Sequence, residues 1–237
     1  VSTGHQSPTP DRPRASRSVG RSRMTGAQRR EQLLEIGRGL FAAKGFEGTS
    51  VEEIAATAGV SKPVVYEHFG GKDGLYAVVV EVETRKLLEA MTAALTKPNH
   101  PRRVLEIAAM TLLDYIEAET DGFRILVRDS PISEPRGGFS SLLSDVATHV
   151  EYILAEQFAD RGFDSQTAPL YAQMLVGMVA FTGQFWLDHR KPDKAMVAAH
   201  IVNLAWNGLT GLESTPGLRE ERAGRAEYRT AAKALDE

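Results

Sequence analysis

Lys62, Tyr66, His68 and Lys72 stand within one short stretch of the chain, "SKPVVYEHFGGKDG". All four donate hydrogen bonds, and the two lysines carry positive charge. Such a set suits an anion. Lys62 suits the O6 and N7 acceptors of guanine, while Pro63 and Val64 suit thymine methyl groups. Tyr66, His68 and Lys72 suit phosphate oxygens, which position a protein on a duplex without reading its sequence. The rest of the chain argues against bond chemistry. It holds no cysteine, so thiolate nucleophiles, thiolate metal sites and disulfides are excluded, and a cytoplasmic location is expected. No P-loop, G-x-S-x-G or H-E-x-x-H occurs. The six histidines are scattered. His189 and Asp193 have metal-like spacing, but Pro192 intervenes and no second pair joins them. The expectation is a protein that is not an enzyme and needs no metal or cofactor.

These residues need elements to present them, and the surrounding sequence supplies two short helices. In "TSVEEIAATAGVSKPVVYEHFGGKDGLY", residues 49–76, Val51, Ile54, Ala55 and Ala58 fall on one helical face. Ser50 and Glu53 have the spacing of a capping box, and Gly59 suits the left-handed residue after the helix. Ser61 is expected to cap the next helix, with Pro63 in its first turn, where a missing N–H costs little. Val65 and Phe69 share a face and are predicted to pack inward, leaving Pro63, Val64, Tyr66 and Glu67 pointing elsewhere. Gly70 and Gly71 then break the chain before a long helix from Lys72. A helix, a tight turn and a second helix make a helix-turn-helix, whose second helix fits the major groove. The helix N-termini around Ser50 and Lys72 add backbone N–H groups for phosphate. Glu67 either accepts from a cytosine amine or points away from DNA, the second being preferred. His68 is either a phosphate ligand or a partner of the first helix.

The remaining pattern is helical throughout, which predicts an all-α fold: a three-helix DNA-binding unit followed by a helical dimerisation and ligand-binding unit. The chain has 237 residues, 42% of them hydrophobic and 25% charged, enough for a sizeable core. A net charge of −3 means that any basic surface is local. Helices are expected at about 27–44 and 51–58, a third after the Ser61 cap, then at about 72–95, 101–119, 122–129, 139–161, 166–190 and 193–212, with a stripe of Leu75, Val78, Val79 and Val82 on the fourth. Residues 130–138 read as a loop. The expected divisions are a disordered basic tail at 1–26, the helix-turn-helix unit at 27–71, the dimerisation and effector unit at 72–213, and a C-terminal tail at 214–237. In the first tail Arg12, Arg14, Arg17, Arg21 and Arg23 face one acid, Asp11. A solvated tail is preferred there to a polyanion-binding arm.

Between Arg29 and Val80, "LFAAKGFEGTSVEEIAATAGVSKPVVYEHFGGKDGLY" resembles the TetR family of bacterial transcriptional regulators. It has the family's G-F, T-S-V, I-A, A-G-V-S, Y-x-x-F ending and the lysine before the fourth helix. The resemblance implies a three-helix DNA-binding head, a C-terminal helical domain that dimerises and often binds a small effector, and usually repression of a pseudo-palindromic operator. It assigns double-stranded DNA contacts to Thr49, Ser50, Ser61, Lys62, Pro63, Val64, Tyr66, His68 and Lys72. "DGFRILVRDSP" at 121–131 is similar to some actinobacterial members.

In the C-terminal half, "LYAQMLVGMVAFTGQFWLDHR" is apolar around nearly its whole girth, so it is expected to be covered on both sides. The apolar run is read as too short for a membrane span, and Thr182 and Gln184 interrupt it. Gly177, Ala180 and Gly183 permit close helix approach, and together with Gln184 and Trp206 they are the expected homodimer interface. A small apolar effector is expected against Met110, Tyr115, Phe123, Tyr152, Met174, Met178 and Phe181, chosen by position. Two alternatives stay open: a DNA-binding regulator without a small ligand, and a helical ligand-binding or enzymatic module with a vestigial head.

Overall fold

The computed structural model describes residues 24–96, 99–127 and 139–218, and among them every regular element is helical. The basic tail at 1–23, the whole of the 130–138 loop and the end of the C-terminal tail lie outside the described residues. The helices are α1 (Gly26–Lys44), α2 (Val51–Ala58), α3 (Lys62–Phe69), α4 (Lys72–Leu95), α5 (Pro101–Ala118), α6 (Thr120–Val127), α7 (Phe139–Asp160), α8 (Ala168–His189) and α9 (Lys194–Thr210). A 3-10 turn, Ser165–Thr167, leads into α8.

The helix starts follow capping chemistry, though not always at the expected residues. Thr25 and Gln28 form a full capping box at α1, each side chain bonding the other's backbone N–H. At α2 only half the box forms. Ser50 accepts from the Glu53 N–H at 3.2 Å, but the Glu53 carboxylate turns to Lys44 on α1 instead. A cation in reach offers it more than a backbone N–H does. Ser61 precedes α3 in extended conformation without a side-chain capping bond, so the expected hydroxyl cap is absent there.

Leu33 and Phe41 of α1, Ile54 of α2, Val65 of α3 and Leu75 and Tyr76 of α4 form one buried core. The tyrosine ring meets Phe41 edge-on at 4.9 Å. The inward stripe of α4 is Leu75, Tyr76, Val79, Val80 and Glu83, with Val78 and Val82 only half-buried. α4 therefore serves two neighbourhoods: α1 and α3 at its start, α5 and α7 farther along. That continuity positions α3 relative to the C-terminal bundle.

In the bundle α8 packs most extensively on α7 and also meets α5. Ser165–His189 is long and apolar enough by length and composition to cross a membrane, contrary to the expected shortfall. One side of this helix is nonetheless built into the bundle: Ala172, Val176, Ala180, Gly183, Trp186 and Leu187 are buried.

Candidate functional site

The exposed edge of α3 is held by its buried side. Val65 is wholly enclosed, and Arg30 of α1 lies over the Phe69 ring at 4.5 Å. With that face anchored, Ser61, Lys62, Pro63, Tyr66 and Glu67 are exposed. Val64 is half-buried and packs on the core, so it points outward less than expected. Tyr66 is 54% exposed, yet its ring does not swing freely. A Cβ on Gly71 would lie 3.1 Å from the ring's Cε1, so the glycine leaves the ring its seat. Gly70 and Gly71 have φ of 73° and 123°, values that a side chain disfavours. Gly74 completes the corner, because a Cβ there would fall 1.9 Å from the Phe69 carbonyl oxygen. The run "GGKDG" is thus what brings α4 hard against the end of α3.

Other residues of the expected contact set have internal partners. Thr49 is 2% exposed, and its hydroxyl donates to the Gly45 carbonyl at 2.8 Å. This is a structural bond that withdraws the side chain from a DNA-contacting role. Ser50 is exposed while capping α2. Lys72 donates to the Phe46 carbonyl at 3.1 Å, and its ammonium lies 4.0 Å from the centre of the Phe46 ring. Its charge helps hold the turn after α1. Lys62 pairs with Glu52 of α2. The hydrogen bond from Lys62 holds the Glu52 carboxyl below its ordinary range. His68 is half-buried beside Phe69, with ring centroids 6.3 Å apart. Sequence reasoning missed the Glu52–Lys62 pair. Its only signal was an acid in the first turn of one helix and a lysine in the first turn of the next.

A second feature lies inside the bundle. α4, α5, α7, α8 and α9 enclose a cavity of about 120 Å³, walled by Leu87, Met91, Leu112, Val146, Val176 and Ala180 among others. Gln157 and Trp206 also line the cavity, whose wall is otherwise apolar. None of the seven expected ligand residues lines it. Tyr115 and Phe123 are buried in the core, and Met110 is half-buried against it. Tyr152, Met174 and Phe181 are exposed. Met178 borders a surface groove of about 270 Å³ with Phe185, Pro192, His200 and Leu204. Position along the chain picked them out, whereas the helix faces turned the cavity toward largely aliphatic residues.

The expected dimer residues divide in the same way. Ala180 is buried and forms cavity wall. Gly183 is pressed on α5, where an added Cβ would lie 2.9 Å from Ile116. Trp206 also lines the cavity and faces His100 at 5.4 Å. These three serve the subunit's own interior. Gly177 borders open space and Gln184 is half-buried. The outward apolar surface is instead Leu170, Met174, Phe181 and Phe185 of α8 with Met196 and Leu204 of α9, each between 50% and 67% exposed.

Comparison with known proteins agrees with this architecture. Residues 33–79 match the family described as bacterial regulatory proteins, tetR family. Residues 90–220 match the tetracyclin repressor-like C-terminal domain. The chain is 29% identical over 196 residues to the HTH-type transcriptional activator FasR of Mycolicibacterium smegmatis, covering 82% of this chain and 89% of that protein. A TetR-like transcriptional regulator from Rhodococcus sp. RHA1 superposes with a TM-score of 0.62 at 25% identity, over 80% of this chain and all of that one. The fatty acid degradation regulator FadR from Bacillus halodurans has the same fold, with a TM-score of 0.62 at 17% identity, over 76% of this chain and 96% of that one.

Proposed function

The chain belongs to the TetR family of DNA-binding transcriptional regulators, and on that premise we propose that it seats α3 in the major groove of a pseudo-palindromic operator as a homodimer and answers to a small apolar effector. The observation that carries the DNA reading is the two-faced build of α3: Val65 locked inside, Lys62, Pro63 and Tyr66 presented outside. Lys62 reads a base edge after leaving Glu52. Tyr66, Ser50 and the α4 N-terminus take phosphates. Lys72 shares its charge between the Phe46 carbonyl and the DNA backbone. Ser61, Pro63, Val64 and His68 line the approach.

The apolar cavity supports an effector with an aliphatic body, since its wall offers dispersion and desolvation rather than hydrogen bonds. α4 borders the cavity at Leu87 and Met91 and meets α1 and α3 at its other end. Displacing it therefore moves the head, and an effector that favours one head position shifts operator affinity. FasR is named an activator, against the repression that the resemblance implied. The sign of regulation follows from where the operator lies relative to its promoter.

Selection of bound sequences from a random duplex pool tests the reading. Enrichment of a two-fold symmetric site is expected; sequence-independent enrichment overturns it. A series of straight-chain alcohols probes the cavity. Ala180→Phe is expected to abolish their stabilisation of the fold while leaving operator binding in place. Equal stabilisation of both proteins places the ligand elsewhere.

A further inference from the structure

Glu83 is a charged residue in a core position. It lies midway along α4 at 1% exposure, among the most deeply buried side chains of the protein. A carboxylate is kept in such a place only with partners, and its partners come from several helices. Arg38 of α1 brings its Nε to 3.2 Å. Lys86 of α4 brings its Nζ to 3.0 Å. Tyr115 of α5 donates its hydroxyl at 3.0 Å. α6 contributes a gap: a Cβ on Gly122 would fall 1.9 Å from the Glu83 Oε2. Arg38 reaches onward to Glu119, the residue joining α5 to α6. Its Nε–H is not aimed to make a hydrogen bond. The guanidinium is spread over three acids, with Glu35 of its own helix at 3.9 Å beside Glu83 and Glu119 on other elements, instead of being matched to one.

The cluster lies between the two features already described. Toward the cavity, Leu87 follows Glu83 by one turn of α4, and Leu112 precedes Tyr115 by about one turn of α5; both are cavity wall. Toward the head, Arg38 stands one turn from Phe41, which is buried in the core shared with α2 and α3. An apolar contact here would hold α1 through packing alone. A planar guanidinium that donates a charge-assisted hydrogen bond to Glu119 while ion-paired with Glu83 is more directional than an apolar contact. Apolar replacements of a buried ion pair often cost no stability, so what the charges supply is geometry.

We propose that Glu83 is a positioning residue for operator binding: with Arg38 and Glu119 it braces α1 against α4, α5 and α6, sets the angle of the head, and so fixes the spacing between the two recognition helices of the dimer. The inference rests on the operator reading above. Arg38→Lys keeps the charge and stem but loses the fork. Glu119→Gln removes the outer anchor, whose side chain is 35% exposed, and carries the test should Arg38→Lys fail to fold. One measurement is binding to paired half-sites at varied spacing. The other is the pulsed dipolar distance between spin labels at Thr57→Cys in the head and Ser144→Cys on α7, with labelled chains diluted into unlabelled ones. The chain has no cysteine of its own to interfere. The variants are expected to bind a single half-site as the unsubstituted protein does. Their preference for one spacing falls about tenfold, equivalent to roughly 1.4 kcal/mol, and the label distances broaden. Folded variants with an unchanged spacing profile and unchanged distance width overturn the proposal. Sequence-independent DNA binding by the unsubstituted protein refutes the operator reading instead. The label distances, measured without DNA, still decide whether the brace sets the angle.

Discussion

Two side chains show how much a partner decides at the residue scale. Lys62 is exposed, but its ammonium is engaged by Glu52, so on the proposed reading DNA must compete for it. An exposed pair of this kind is weak, and the proposal has a base edge displace it. Lys62→Ala is expected to relax preference at one base pair per half-site, at roughly 1–3 kcal/mol of discrimination if the contact is bidentate; comparing the selected sequences of the two proteins measures it. Tyr115 is the opposite case. Burial first, and then the charge of Glu83, holds its phenol above the ordinary value of 10.0. A group whose folded pKa is raised contributes stability that is complete below the unfolded value and drains away as pH rises past it. The unfolded chain releases that proton first. Thermal stability should therefore fall above about pH 10, by up to about 1.4 kcal/mol per pH unit from this one group. Tyr115→Phe should lose about 1.5–3 kcal/mol at neutral pH with the hydrogen bond to a charged acceptor, yet decline less steeply in alkali. Melting curves between neutral and alkaline pH read both effects, and parallel curves would exclude Tyr115 as the source.

Helices in this protein meet where side chains are small. α1 carries two interior glycines, which propensity alone marks equally as weak points. Their surroundings separate them. A Cβ on Gly37 would lie 2.8 Å from the Cδ2 of fully buried Leu75, whereas Gly39 borders open space. Gly39→Ala should stabilise by about 0.5–1 kcal/mol, the ordinary helix-propensity gain. Gly37→Ala should destabilise by about 1–3 kcal/mol, because it forces α1 away from α4. Denaturant midpoints of the two variants should move in opposite directions, and a shift of both in one direction would mean that the α1–α4 contact is looser than described.

Across the whole molecule, the outer face of α8 and α9 explains why one long apolar helix has two faces at work. Its inner side completes the bundle, and its outer side leaves Leu170, Met174, Phe181 and Phe185 in contact with solvent in the single chain. The homodimer proposed above would use this apolar face as its association surface, and the two-fold symmetric operator proposed with it calls for a two-fold symmetric protein. Phe181→Arg is expected to yield a folded monomer with weakened affinity for the full operator. Ala180→Arg, one residue away, should disrupt folding instead, because its side chain enters the cavity wall. Sedimentation velocity and circular dichroism distinguish the outcomes, and a dimer persisting in Phe181→Arg would move the interface off this face.

Local chemistry alone determined a large part of this protein. Apolar spacing, Pro63, and the glycines at 59, 70 and 71 identify α2 and α3 with their bounds, because periodicity and turn geometry are written in neighbouring residues. For the same reason the exposed edge around Lys62, Pro63 and Tyr66 was legible, since it is the part of α3 left over once Val65 turns inward. What needed the tertiary structure was every choice between two faces of an apolar helix. Ala180 and Gly183 look like Gly177 in sequence, yet two of them face their own subunit and one faces open space. The cavity was misplaced because its wall is assembled from five helices, one aliphatic side chain at a time. Glu83 was invisible because a glutamate on a helix reads as surface. Only the arrival of Arg38, Lys86 and Tyr115, with the gap left by Gly122, makes its burial affordable. A residue's periodicity depends on its neighbours in the chain, whereas its burial depends on which distant helix covers it.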